Sequence, residues 1–321
     1  MASPGPPIKN PVTTQQTSMM RTEPRARPGT PARPDHHSRL TRWISPYLRL
    51  MRLHSPTGAM LLFLPCGWGL ALAGSPDQTF FFYLGLCFIG ALVMRAAGCV
   101  INDVIDQNLD RQVARTAQRP VASGEISVAR ALMVLAGLLA AGLVVLIALP
   151  PRAILWGVAA LPLVVVYPLA KRVTHWPQLV LGLTFNWGIF VGWFAVREDG
   201  AASMIVFYIA AVIWTVAYDT IYAYQDVTDD RKIGIKSSAV FLQERGKLAV
   251  ILFYIITLGL MVLACILAQR PGLAFVFVAL AGGWIAWHVH RWQPSNPTSC
   301  FRCFRANVPF AILVLISLMV G

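Results

Sequence analysis

The sequence predicts an all-α polytopic membrane protein with nine transmembrane helices, on three observations. Mean hydropathy is +0.60. Charged residues make up 13% of the 321 positions, about half the ~25% usual in a soluble domain. From Leu48 onward the apolar residues, 56% of the whole chain, gather into runs of near-membrane length. A soluble core is excluded. Net charge is +13, and in such a chain basic excess reads as loop charge that fixes orientation, not as a nucleic-acid surface.

Residues 1–46 come first. They carry nine prolines, many arginines, and only Glu23 and Asp35 as acids. The prolines prevent a continuous amphipathic helix, so this segment is expected to be disordered. It lacks the apolar stretch of a secretory signal, and its prolines argue against a transit peptide. Residues 47–321 form the membrane domain. Helices are expected near 56–74, 80–101, 129–149, 152–170, 177–197, 203–223, 247–267, 272–290 and 306–320, each approaching the ~20 residues needed to span. Nine spans put the termini on opposite sides. Loops on the N-terminal side hold thirteen Lys and Arg, against Arg152, Arg197 and Arg270 opposite. The positive-inside rule therefore places the N terminus inside.

Of six cysteines, Cys66, Cys87, Cys99 and Cys265 precede a Cys300-x-x-Cys303 pair. The pair is read as free thiols in a short loop, because no second Cys/His pair stands at zinc spacing. His288 and His290, two apart, lie on different helix faces and make a poor metal pair.

The acidic residues are distributed unevenly. Six of the chain's 14 fall in two short windows, Asp103, Asp106 and Asp110 in one and Asp226, Asp229 and Asp230 in the other. Carboxylates beside hydrocarbon are costly and mark function by default. On a helix, Asn102, Asp106 and Asp110 lie on one face, and Asp226 and Asp230 repeat the spacing. A shift of 120 residues superposes Asp106 on Asp226, Asp110 on Asp230 and Arg111 on Arg231. Such a repeat suggests duplicated halves that build a site at their interface. Both windows end helices on the inner side. Facing carboxylate pairs suit a hard divalent cation, and Mg²⁺ bridging carboxylates to substrate phosphates is the commonest use. A single cluster reads equally well as a solvated helix end; two clusters with one spacing, on one side of an acid-poor chain, favour a site.

Arg111, Arg115, Arg119, Lys171, Arg172, Arg231 and Lys236 follow the clusters. Some serve orientation, but together they describe a phosphate clamp around a metal. Arg52, where the first helix enters the membrane, is either a headgroup snorkel or an anchor for a substrate carboxylate, with Lys171 and Asn186 next in line for the latter role. Tyr222 shares the Asp226 face, where its ring could stabilise a carbocation.

The segment Gly98–Asp103, with Arg115-Thr116-Ala117-Gln118-Arg119-Pro120 and Gly124, resembles the UbiA superfamily of intramembrane prenyltransferases. Its NDxxDxxxD motif is intact as Asn102, Asp103, Asp106 and Asp110, and its DxxxD motif as Asp226 and Asp230. Further segments resemble the 4-hydroxybenzoate polyprenyltransferase branch, among them Tyr167-Pro168-Leu169-Ala170-Lys171-Arg172, Gly182–Gly188, Asp219-Thr220-Ile221-Tyr222 and Gly234–Ser238. Val100 departs from the Thr found in many relatives. The resemblance covers residues 47–321. It implies nine helices around a central cavity, and Mg²⁺-dependent transfer of a polyprenyl chain from polyprenyl diphosphate to 4-hydroxybenzoate, ortho to the hydroxyl, in ubiquinone synthesis. It makes Asp103, Asp106, Asp110, Asp226 and Asp230 catalytic, with Asn102 joining Asp106, Asp110, Asp226 and Asp230 as metal ligands. The expected setting is a bacterial inner membrane, with the mitochondrial inner membrane as the alternative and the site facing cytoplasm or matrix. Neither nucleic acid nor an obligate protein partner is implied. The alternatives are another aromatic acceptor (naphthoate, homogentisate, haem or a polyketide phenol) and a cation-coupled transporter, which would place its acids mid-span.

Overall fold

The computed structural model describes residues 1–3, 5, 44–113 and 115–320, and leaves the side chains of Leu169, Lys171, Arg172 and Ile233 outside the description. The chain divides into a unit of Met1–Thr41 and one of Arg42–Gly321. The disorder expected of residues 1–46 falls mostly outside the described residues.

The described part of Arg42–Gly321 contains helices and no strand. A short helix, α1 (44–50), turns through residues 51–54 into α2 (Thr57–Ala73). Then follow α3 (Gln78–Ile105), α4 (Gln107–Asp110), α5 (Val128–Ile147), α6 (Pro151–Ala159), α7 (Leu161–Val173), α8 (Pro177–Phe185) and α9 (Gly188–Phe194). The remainder are α10 (Ala202–Ala223), α11 (Val227–Ile233), α12 (Ser238–Leu242), α13 (Gly246–Leu267), α14 (Gly272–Arg291), α15 (Pro297–Arg305) and α16 (Asn307–Met319). Seven helical stretches among the described residues are long and apolar enough to cross a membrane. The other two stretches expected to span are shorter: α2 has 17 residues, and the 177–194 stretch is broken into α8 and α9.

The breaks have local causes. Pro162 at the start of α7 lacks the N–H that would continue α6. At Asn186 the side-chain amide donates to the Gly182 carbonyl four residues back, at 2.8 Å, and so competes with the helix ladder. The same amide reaches Ala211 O at 3.0 Å and Thr215 Oγ1 at 2.7 Å, fastening the break to α10.

Small residues let backbones approach, as expected between membrane helices. A β-carbon at Gly69 of α2 would collide with the Ile189 carbonyl of α9, and one at Gly192 would stand 2.9 Å from the Leu70 nitrogen. Polar hubs tie the remaining helices together. Trp68 donates to Ala311 O at 3.0 Å, and Asn307 Oδ1 accepts from both Trp214 Nε1 and Tyr254 OH at 2.8 Å. A second apolar cluster of Leu50, Val100, Val121, Ile126 and Ala131 pins α1, the loop after α4 and α5 onto α3. The Cys300-x-x-Cys303 pair, expected in a loop, lies on α15 with both residues buried. The run Pro297–Arg305 has its apolar residues at helical spacing, and Asn296 caps it by accepting from Thr298 N and Ser299 N.

Candidate active site

α3 has 28 residues, or about 42 Å of helix, more than the ~30 Å of bilayer hydrocarbon. Its C-terminal end therefore carries Asn102 and Asp103 to the membrane boundary. There the helix breaks. Asp106 leaves helical geometry at φ −95° and ψ 7°, and α4 follows as a single turn. The second cluster is built alike: α10 ends, Asp226 takes φ −111° and ψ 5°, and α11 follows. In both, the hinge carbonyl accepts from the backbone of the second acid, Asp110 N to Asp106 O and Asp230 N to Asp226 O, each at 2.8 Å. The i, i+4 spacing thus survives, although each cluster straddles a break and does not ride a continuous helix. α11 closes at Gly234, whose φ of 73° is the left-handed cap that favours glycine.

The first cluster is not a solvated helix end. Asp103, Asp106 and Asp110 are 1%, 4% and 6% exposed. Arg52 Nη2 meets Asp103 Oδ1 at 2.8 Å, and Arg119 Nη1 meets Asp110 Oδ2 at 2.7 Å and Asp103 Oδ1 at 3.4 Å. Arg52 therefore faces the cluster and does not snorkel. It does so from a left-handed backbone, φ 53°, which a residue with a side chain holds only where its surroundings impose it. The loop after α4 brings Arg119 back: Thr116 Oγ1 bonds Asp110 O at 3.0 Å, and Gln107 Nε2 bonds Val121 O at 3.3 Å.

Arg115 joins the two clusters. It grips Asp226 with both arms of its fork, Nε to Oδ1 at 2.8 Å and Nη2 to Oδ2, and Nη1 donates to Tyr222 OH at 3.2 Å. Its guanidinium also lies 5.6 Å from the Tyr222 ring centroid. Burial opposes its charge, but the Asp226 hydrogen bond and the neighbouring charges outweigh that, and its pKa is raised. Tyr222 in turn packs on Phe304 of α15, ring centroids 4.7 Å apart.

Other residues of the expected clamp stand apart. Arg111 Nε is bonded to Ala122 O at 2.8 Å and braces the loop. Lys236 Nζ caps α7 at Val173 O, 3.2 Å away. The side chains of Lys171 and Arg172 lie outside the described residues. Asn102 is half-buried on the last turn of α3, and Asp230 is half-buried on α11. Asn186, offered for the acceptor, is fully buried and its amide N–H groups hold the α8–α9 break.

The carboxylates and Asn102 supply the hard oxygen donors a small divalent cation takes. Among the described residues, however, no three carboxylate, imidazole or thiol side chains gather around one point. Asp103, Asp110 and Asp226 are each held by arginine.

Sequence reasoning missed three neighbours. Arg95 is the one cation in the apolar run 80–101, and Asp219 the one acid in 203–223; isolated charges within spans were the available signal. Phe304 carries no such signal, because only the fold brings it to Tyr222.

A helical bundle with paired acidic motifs at its helix ends, closed by arginines, defines an intramembrane prenyltransferase. The chain belongs to the UbiA prenyltransferase family, whose model matches residues 62–315. It is 40% identical over 280 residues to the mitochondrial 4-hydroxybenzoate polyprenyltransferase of Bos taurus, spanning 87% of this chain and 76% of that one. In fold it is similar to a UbiA homolog from Aeropyrum pernix K1, with a TM-score of 0.69 and 23% identity over 81% of this chain and 97% of that one. It is also similar in fold to the Archaeoglobus fulgidus UbiA homolog bound to GPP and Mg²⁺, with a TM-score of 0.64 and 21% identity over 86% of this chain and all (100%) of that one.

Proposed function

We propose that this chain transfers a polyprenyl group from polyprenyl diphosphate to the 4-hydroxybenzoate carbon ortho to the hydroxyl, with Mg²⁺, on the route to ubiquinone. The observation that carries this reading is the 40% identity with the Bos taurus 4-hydroxybenzoate polyprenyltransferase. The ion and diphosphate bound by the Archaeoglobus fulgidus homolog support the metal and the donor class.

Asn102, Asp106, Asp110, Asp226 and Asp230 would hold the ion. Bound there, Mg²⁺ would supply positive charge to offset that of the diphosphate leaving group. Arg115 and Arg119 stand beside those carboxylates and would take the diphosphate oxygens through forked N–H donors. The Tyr222 and Phe304 rings, packed on each other beside Arg115, would stabilise developing allylic charge. Asp103 orients Arg52 for the acceptor carboxylate. The ring carbon then attacks and its proton leaves. A bundle walled by lipid keeps water from the cation. The name of the bovine relative places that protein in mitochondria, the alternative setting read from the sequence.

The test is turnover of labelled polyprenyl diphosphate by the purified protein with a panel of phenolic acids, with and without EDTA. Product with 4-hydroxybenzoate that vanishes with EDTA and returns with Mg²⁺ is expected. Product with a naphthoate or homogentisate alone would reassign the acceptor.

A further inference from the structure

From Lys247 to Gly321 the sequence contains no Asp or Glu, yet it carries Lys247, Arg270, Arg291, Arg302 and Arg305. Arg291 ends α14, and Arg302 and Arg305 occupy the last turn of α15. Among the described residues, no carboxylate pairs with any of these three. Two of them are seated on aromatic rings. The Arg291 guanidinium lies 4.6 Å from the Trp287 ring centroid, and that of Arg305 lies 5.9 Å from the Phe301 centroid. A guanidinium laid on a ring is fixed in orientation and keeps its N–H edge for an oxyanion.

Trp287 also continues a groove. Val276, Ala279, Leu280, Gly283 and Trp284 of α14 and Leu313 of α16 line a space of about 560 Å³, within the ~300–1,000 Å³ of ligand sites. Val276, Leu280, Trp284, Trp287 and Arg291 follow one another at three- and four-residue steps, so they share one face of α14. Gly283 keeps the groove open: a β-carbon there would meet nothing within 4 Å. Trp284 Nε1 donates to Ala306 O at 2.9 Å, which brings the groove to the residue beside Arg305. Val276 and Arg291 are separated by about 22 Å of helix. One leaflet with its headgroups is about 20 Å thick, half of the whole bilayer. This end of the bundle also carries the acidic motifs, since Trp292 packs on Tyr224 at 5.3 Å and Phe304 on Tyr222.

We infer that the α14–α16 groove binds an anionic glycerophospholipid, one acyl chain lying along it and the phosphodiester held at the basic end by Arg291 and Arg305. Charge that served orientation alone would need neither the ring seats nor a groove leading from them. A zwitterionic lipid brings its own cation and leaves the arginines less well matched than an anionic one does. The site stands apart from the acidic motifs and goes beyond the proposed function. Its test reads binding and not turnover, so either reading can fail without the other.

The experiment adds phosphatidylglycerol or phosphatidylcholine of matched chains to the full protein in detergent and reads bound lipid by native mass spectrometry. Wild type should hold phosphatidylglycerol more tightly. Arg291→Gln combined with Arg305→Gln should weaken it by ~30-fold and remove the preference. Arg130→Gln combined with Arg245→Gln removes as much charge from other exposed positions and should change little. Gly283→Leu keeps every charge and fills the groove, so it should weaken both lipids. Equal retention of the two lipids by wild type, or equal losses in the two double variants, overturns the inference. Inorganic phosphate bound as tightly as phosphatidylglycerol would mark a free-anion site and overturns it as well. So does retention unchanged by Gly283→Leu, and if that variant also splits a dimer, the groove belongs to a second copy of this chain.

Discussion

Asp106 is 4% exposed and forms the hinge between α3 and α4, while Asp230 follows the matching hinge, Asp226, by four residues. Asp106→Asn and Asp230→Asn preserve shape and remove charge. Each should abolish turnover while the protein still inserts and elutes as wild type; near-normal turnover in detergent would sink the metal assignment. Arg52→Ala should raise the acceptor KM and leave the donor KM alone, at a cost of ~2–5 kcal/mol in acceptor binding. Arg52→Lys should recover only part, because the fork is lost. Paired KM measurements check both, and a shift in the donor KM would move Arg52 to the diphosphate. The carboxylates were legible because their spacing is local. Their partners were not, since Arg115 reaches Asp226 across 111 residues and many arginines in a basic chain compete for that place. Arg111 shows the confusion: it follows the motif directly, yet bonds the loop at Ala122.

Helices were legible where runs of apolar residues were long, and their interruptions were not. The stretch 177–194 is mostly apolar, so hydropathy cannot see Asn186 turn its amide back on Gly182. The α2–α9 contact was equally hidden, because a glycine in a span reads the same whether it faces lipid or a backbone. Gly69→Ala and Gly192→Ala should each destabilise the protein by about 1–3 kcal/mol, as overpacking does. Gly85→Ala on α3, where nothing stands within 4 Å of the new carbon, should not. Thermal denaturation in one detergent compares the three. Equal Tm values for Gly69→Ala and Gly85→Ala would mean that the two helices separate freely.

Across the chain, the 120-residue repeat is visible in backbone as well as sequence: a long helix, an aspartate hinge, then a short helix, twice. All the residues assigned a role in the reaction lie between Arg52 and Phe304. Deleting residues 1–40 should therefore leave kcat and both KM values unchanged in protein that inserts. A folded deletion that cannot turn over would place part of the machinery in that segment. Charge asymmetry between loops made the shared side of both clusters legible from composition alone. A cavity between Arg52 and Arg95 was not, because it depends on the turn before α2 and on α2 and α3 meeting at Gly58.

The arginine pairs have one more consequence, for the order of events at the site. Arg115 and Arg119 are bound to the same carboxylates that the proposed cation would take. Each carboxylate surrendered to the cation releases a guanidinium, and each guanidinium drawn to a phosphate releases a carboxylate. Loading is then a change of partners, in which cation and prenyl diphosphate recruit one another. Linkage requires the benefit to be mutual. The donor's apparent affinity should climb with cation concentration, and the cation's with donor concentration, by the same factor. Titrating each at fixed levels of the other measures that factor, and a value of one would mean that the arginines never change hands.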